Sequence, residues 1–142
     1  MSKVAVVYWS GTGNTQAMAE AVAKGAEGAG AEVSLLTSAE FDKGMADGFD
    51  AIGFGCPSMG AEQLEESEFA PMFESVEEKL SGKKIALFGS YGWGDGEWMR
   101  TWEETALADK AVLVSGCVIA NEAPDEEAIA SCTALGEALA KA

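Results

Sequence analysis

Val4-Ala5-Val6-Val7-Tyr8-Trp9-Ser10-Gly11-Thr12-Gly13-Asn14-Thr15 sets two opposed patterns side by side. The first half is short, β-branched and aromatic, and it is apolar without alternation. Such a run is buried on both faces, as in a parallel sheet covered by helices. The second half breaks it with glycines, hydroxyls and an amide. From Gln16 the spacing turns helical: Met18, Ala19, Val22, Ala23 and Ala26 recur every three or four residues, and Gly28 and Gly30 close the segment. A buried strand, a polar glycine turn and an amphipathic helix in that order make the opening unit of an α/β sheet.

The rest of the chain repeats the alternation. Residues 32–37 read as a second strand, nearer an edge because polar residues alternate in it, and 51–55 as a third. The third ends in the loop Cys56-Pro57-Ser58-Met59-Gly60. A helix is predicted over 69–80, with Pro71 tolerable in its first turn. Residues 84–89 form a fourth strand with the glycine-rich exit loop Ser90 to Gly96. A helix over 97–108, a fifth strand over 111–119 and a last helix over 125–140 complete the series. The stretch from Phe41 to Phe49 gives no clear pattern. The reading is one doubly wound α/β domain over 1–142.

Charge and composition remove whole classes of function. The 142 residues carry 24 acidic and 9 basic side chains, a net charge of −15, and no histidine. So few cations cannot line a phosphate backbone, which argues against nucleic-acid binding. Without histidine there is no Ser-His-Asp or Cys-His triad, and most catalytic zinc sites are excluded. Cys56, Cys117 and Cys132 form no C-x-x-C pair and suit a reducing interior. No segment reads as a secretory leader or a membrane span, so a cytoplasmic protein without membrane attachment is expected.

In open α/β sheets ligands bind beyond the carboxyl ends of the strands. Three loops there stand out. Ser10 to Thr15 offers inward-turned backbone N–H groups from Gly11 and Gly13, a helix N-terminus, and donors on Ser10, Thr12, Asn14 and Thr15. That is more than helix capping needs, and it describes an anion site, with phosphate the natural occupant. It lacks the lysine of a nucleotide triphosphatase loop and the third glycine of a dinucleotide fingerprint. In the third loop Trp93 stands between Gly92 and Gly94 beside Tyr91, where it can serve as a stacking surface. Met59-Gly60 in the second loop makes a soft opposing wall. Together they describe a slot for a planar ring joined to a phosphate. Trp98 and Trp102 sit at helical spacing and read as packing. Cys56 has no arginine-closed phosphate loop around it and reads as a small buried hydrophobe rather than a nucleophile. Carboxylates crowd the segments after each loop, so the ligand edge should carry a negative field that steers a basic partner.

These residues, from Tyr8 to Thr15, through Met59-Gly60 and Ser90-Tyr91-Gly92-Trp93-Gly94 to Asn121-Glu122 before the last helix, closely resemble a short-chain flavodoxin of the clostridial and anaerobic bacterial type. The resemblance implies a flavodoxin-like five-stranded parallel sheet in order 2-1-3-4-5, helices on both faces, and one non-covalent FMN. It places Ser10, Gly11, Thr12, Gly13, Asn14 and Thr15 at the phosphate. Met59 and Trp93 then flank the isoalloxazine, Glu62 accepts from its N3, and backbone around Ser58, Gly60, Ser90, Tyr91, Gly92 and Gly94 meets the pyrimidine edge and N5. Gly60 suits a peptide that reorients on reduction, since it tolerates φ > 0. Ala61 belongs to the same cofactor-binding loop and stands where relatives often carry a polar or acidic residue.

The function implied is a low-potential one-electron carrier, not an enzyme, that shuttles between semiquinone and hydroquinone for partner oxidoreductases. The expected partners are basic-surfaced redox proteins, with no nucleic acid or membrane, and the chain is expected to be a monomer. The competing reading is a small FMN-dependent NAD(P)H reductase, for which the chain leaves little room. A signalling receiver of the same architecture needs acidic residues at the end of the first strand, where Tyr8, Trp9 and Ser10 stand instead.

Overall fold

β1 (Lys3–Tyr8) runs through the middle of a parallel sheet, and Val4 to Val7 are fully buried as their unbroken apolar run predicts. The structure, a computed structural model, describes every residue except Met1, Thr12, Gly60, Ala61, Glu62 and Trp93. α1 (Asn14–Gly28) returns over one face to β2 (Glu32–Thr37). A 3₁₀ turn (Ser38–Glu40) and the short α2 (Lys43–Ala46) lead to β3 (Ala51–Gly55). α3 (Phe69–Val76), β4 (Lys84–Tyr91), α4 (Glu97–Ala108), β5 (Val112–Leu113), β6 (Val118–Asn121) and α5 (Glu126–Lys141) follow.

The sheet is ordered β2-β1-β3-β4-β5, with β6 also beside β4, and every pairing is parallel. Alternate side chains feed two cores. Ala5, Val7, Ile52, Phe54, Ile85 and Leu87 pack under α3 and α4, where Phe69 and Phe73 each meet Trp102 edge to face. Val4, Val6, Ala51, Ala86 and Phe88 pack under α1 and α5. The latter pair approaches so closely that a Cβ on Gly136 would lie 1.9 Å from the Val22 carbonyl oxygen, and one on Gly25 would lie 2.0 Å from that of Thr133. Trp98 and Trp102 are buried in the first core, as their helical spacing predicts.

Several features differ from the sequence reading. The fifth strand is not continuous over 111–119: β5 pairs with Lys84 and Ile85, the chain bends through 114–117 around Ser115-Gly116, and β6 resumes opposite Phe88 to Tyr91. Because Ser90 and Tyr91 pair with Ala120 and Asn121, they belong to β4 rather than to its exit loop. The helix predicted over 69–80 is α-helical only to Val76 and tightens into a 3₁₀ turn over Glu77–Lys79. The unassigned stretch from Phe41 to Phe49 holds α2, with Phe41 inserted into the core.

Candidate functional site

β1 is flanked by β2 on one side and β3 on the other, so the chain leaves its carboxyl end at the point where strand order reverses. The Trp9 N–H still bonds the Gly55 carbonyl at 3.0 Å, and the turn begins immediately after. Ser10 Oγ accepts from the Gly13 N–H at 3.0 Å. Gly13 has φ 94°, a left-handed conformation that costs glycine nothing, and it starts α1. Among the described residues no side chain caps α1, and its first turn holds no acidic residue. The first N–H groups of the helix, which have no intrahelical acceptor, and its positive dipole end are therefore presented to an anion. Behind them Thr15, 1% exposed, meets Ser90, 5% exposed, through an Oγ1···Oγ contact of 3.0 Å. The Thr15 hydroxyl thus faces inward and ties α1 to β4.

The second loop is anchored on β4: Cys56 N–H donates to Phe88 O at 3.1 Å and Ser58 N–H to Ser90 O at 3.0 Å. Met59 and Gln63 exchange two backbone hydrogen bonds, of 2.8 and 3.0 Å, that close the base of the loop between them. On the other side, Glu122 N–H and Asn121 Nδ2 both donate to Tyr91 O, at 2.7 and 3.4 Å. Glu122 is held at φ 58°, an uncommon conformation for a residue with a Cβ.

These elements enclose a cavity of about 380 Å³, within the range of small-molecule sites. Of the residues predicted from sequence, Gly11, Asn14, Ser58, Met59, Ser90, Tyr91 and Gly92 line it together. Ser10, Gly13, Thr15 and Gly94 do not line it; the first three shape the turn beside it. Thr12, Gly60, Ala61, Glu62 and Trp93 lie outside the described residues. Three lining residues were missed: Trp9, Pro57 and Glu122. Trp9 reads as the last residue of the apolar strand, but β1 stops at Tyr8 and the indole reaches over Gly11, where a Cβ would stand 3.0 Å from Trp9 Cη2. Pro57 and Glu122 each directly follow a strand's end region, the one signal that could have marked them.

The other candidates resolve differently. Cys56 is fully buried; its thiol is pushed up to about 12 by that burial, and its Sγ accepts from the Glu65 N–H at 3.3 Å. Little thiolate is therefore available there at neutral pH. A wider depression of about 760 Å³ lies at the opposite end of the sheet, where the strands begin. Two of its lysines are already engaged there, Lys83 with the carbonyls of Ala46 and Phe49 and Lys79 with Asp47. Among the described residues no cluster of three or more Cys, Asp or Glu is placed to hold a metal. Among them, too, no helix is long and apolar enough to cross a membrane.

Charge is distributed along the strand axis. Lys3, Lys83, Lys84 and Lys110 stand at or just before strand starts, and Lys79 and Lys141 at helix ends, all far from the cavity. At the cavity end Asp95, Glu97, Glu122, Asp125, Glu126 and Glu127 follow the strands, and the cation among them, Arg100, is paired with Asp95 at 3.0 Å.

A sequence model of the flavodoxin family matches residues 6–136. The chain belongs to the flavodoxin family. It is 46% identical over 139 residues to the flavodoxin of Megasphaera elsdenii, covering 98% of this chain and 99% of that one. It is also 46% identical over 135 residues to the flavodoxin of Clostridium beijerinckii, covering 95% and 97%. The solution structure of two-electron reduced M. elsdenii flavodoxin superposes with a TM-score of 0.91 at 45% identity, over 98% of this chain and 99% of that one. An archaeal flavodoxin structure follows with a TM-score of 0.87 at 26% identity, over 98% and 96%. Flavodoxins are FMN-binding electron carriers. The cavity fits that cofactor: an uncapped helix start and a glycine turn for a phosphate, beside a mostly apolar space edged by Trp9, Met59 and Tyr91 for a ring.

Proposed function

We propose that this flavodoxin is a low-potential one-electron carrier, a single domain that cycles non-covalent FMN between semiquinone and hydroquinone for basic partner oxidoreductases. The observation that carries the reading is the union, at one switch-point cavity, of an open α1 N-terminus with an apolar wall and an acidic rim. When bound, FMN supplies the reversible electron uptake; the protein binds, orients and tunes it.

The turn from Ser10 to Thr15 neutralises the phosphate by hydrogen bonds and helix dipole, without a cation. Met59, Trp9, Tyr91 and Trp93 exclude water from the ring. Ser58, Gly60, Ala61 and Glu62 on one loop, and Ser90, Gly92 and Gly94 on the other, would meet its polar edge, where Glu62 would accept at N3 and the Gly60 carbonyl at N5. Apolar walls and nearby carboxylates would make added negative charge on the cofactor costly and so favour a low potential for its second electron. The acidic cavity end and the lysines at the far end orient an approaching basic partner.

An anaerobic reductive titration of the FMN-loaded protein tests this. A long-wavelength absorbance band that rises and then bleaches is expected, and electron-transfer rates to a basic acceptor should fall as salt rises. Direct bleaching with catalytic NAD(P)H oxidation would replace the carrier by a reductase, and salt-independent rates would remove the steering role.

A further inference from the structure

Glu65 departs from the other described acidic residues. It is 6% exposed, and no cation faces it among the described residues. Its carboxylate instead collects donors from the chain that follows. Oε1 accepts from the N–H groups of Glu68 at 2.7 Å and Phe69 at 2.8 Å. Oε2 accepts from the Ser67 N–H at 2.9 Å and from the Ser67 hydroxyl. Burial alone would raise its pKa, but these hydrogen bonds outweigh it and hold the group down at about 2. The backbone of the same residue is also tied at both ends. Its N–H donates to Cys56 Sγ at the end of β3, and its carbonyl accepts from Ala70 in α3 at 2.8 Å.

α3 does not require such a device. One side-chain oxygen at the helix start is the usual cap, yet Glu68, which holds that place, makes none. A carboxylate taken out of water is costly unless fully hydrogen-bonded, and a cap at position 68 would have avoided that cost. What the buried group adds is fixation of the chain on its other side. Gln63 stands two residues upstream and closes the loop base on Met59, a lining residue of the cavity.

We infer that Glu65 is a positioning residue for the cofactor loop: its carboxylate, gripped by Ser67, Glu68 and Phe69, clamps the loop's exit so that the Met59–Gln63 pair stays closed beside the cavity. The inference rests on the FMN reading for its functional consequence, but its structural half is measurable without FMN.

Glu65→Gln keeps the side chain's size while setting an amide donor against backbone donors. In the apo-protein, amide hydrogen exchange should quicken about tenfold at Met59 and Gln63 as well as at residues 67–69. The Kd for oxidised FMN should rise several-fold. Loss of a nearby negative charge alone would strengthen binding of the anionic cofactor, so the direction separates positioning from electrostatics. Glu65→Asp, which keeps the charge but not the reach, should fall between. If exchange quickens only at 67–69, or FMN binds as tightly or more tightly, the carboxylate is a local cap and the inference fails. Should Glu65→Gln not fold, Ser67→Ala removes one donor and is read in the same way. A parent protein that retains no FMN would sink the carrier reading, while exchange at Met59 and Gln63 would still decide the clamp.

Discussion

Gly136→Ala should loosen the whole back of the molecule. The added Cβ would stand 1.9 Å from the Val22 carbonyl oxygen and 2.8 Å from the Ala26 nitrogen, both backbone atoms of α1. An ordinary contact needs roughly 3.4 Å, so α5 must back away by ~1.5 Å or α1 must shift with it. Either movement opens the layer in which Met18, Val22, Cys132, Leu135 and Leu139 are buried. Overpacking of this kind costs about 1–3 kcal/mol, and backbone against backbone belongs at the upper end. Alanine's helix propensity returns about 1 kcal/mol, leaving a net loss of about 2 kcal/mol. Urea unfolding of the apo-protein should show this as a midpoint lower by about 1 M. Gly28→Ala is the matched control: it lies in the same helix pair with nothing within 4 Å of the new Cβ, and it should stabilise slightly. A Gly136→Ala protein as stable as its parent would refute the close helix contact. Since α1 carries the turn proposed to hold the phosphate at its other end, FMN affinity should fall along with stability.

Stability should also depend on pH near neutrality. Burial, then a hydrogen bond with Asp109 and the charges of Asp109 and Glu74, raise the Glu77 carboxyl from 4.5 to about 7. The folded chain therefore binds that proton more tightly than the unfolded one, and the stabilisation present below pH 4.5 is lost as pH rises to about 7. Urea midpoints should decline across that window, and Glu77→Gln should flatten the decline; an unchanged slope would remove Glu77 as its cause. Thr15→Val leaves Ser90 Oγ buried without its partner and should cost about 1–3 kcal/mol, read by the same unfolding assay. With Cys56 and Cys132 buried and all three thiols pushed up to about 12, iodoacetamide at pH 8 should label the native protein slowly and the unfolded protein fully. Rapid native labelling of Cys56 would contradict its burial.

The sheet was legible because its strands are unbroken apolar runs and its helices keep a strict spacing. Glu97–Ala108 begins and ends where its pattern does, and Asp125 caps α5 by accepting from the Ala128 N–H. The fifth strand was misread because Ala111 to Ile119 is apolar enough to hide the bend at Ser115-Gly116, and only its pairing along β4 reveals the break. Most of the cavity's lining was visible as turn chemistry after strands. Trp9 was not, because a tryptophan ending an apolar run looks like strand until one sees where β1 stops. Glu122 was not, because its left-handed backbone and its bond to the Tyr91 carbonyl across the sheet leave no mark in the local sequence. Nothing in the sequence separates Glu65 from the carboxylates that crowd the segment after the second loop; its burial depends on residues up to four positions away folding back onto it.

The interrupted fifth strand also determines what the sheet can do at its margins. A continuous outer strand offers a row of free N–H and C=O groups on which another chain could add itself. Beyond β4 that template is cut into segments of two and four residues with a bend between them, too short and too misaligned to zip onto. The unbroken margin among the described residues is β2, whose Glu32 and alternating polar residues discourage the same event. The kink that spoils a tidy strand assignment is thus a guard against sheet-to-sheet aggregation in a chain whose inner strands are almost wholly apolar.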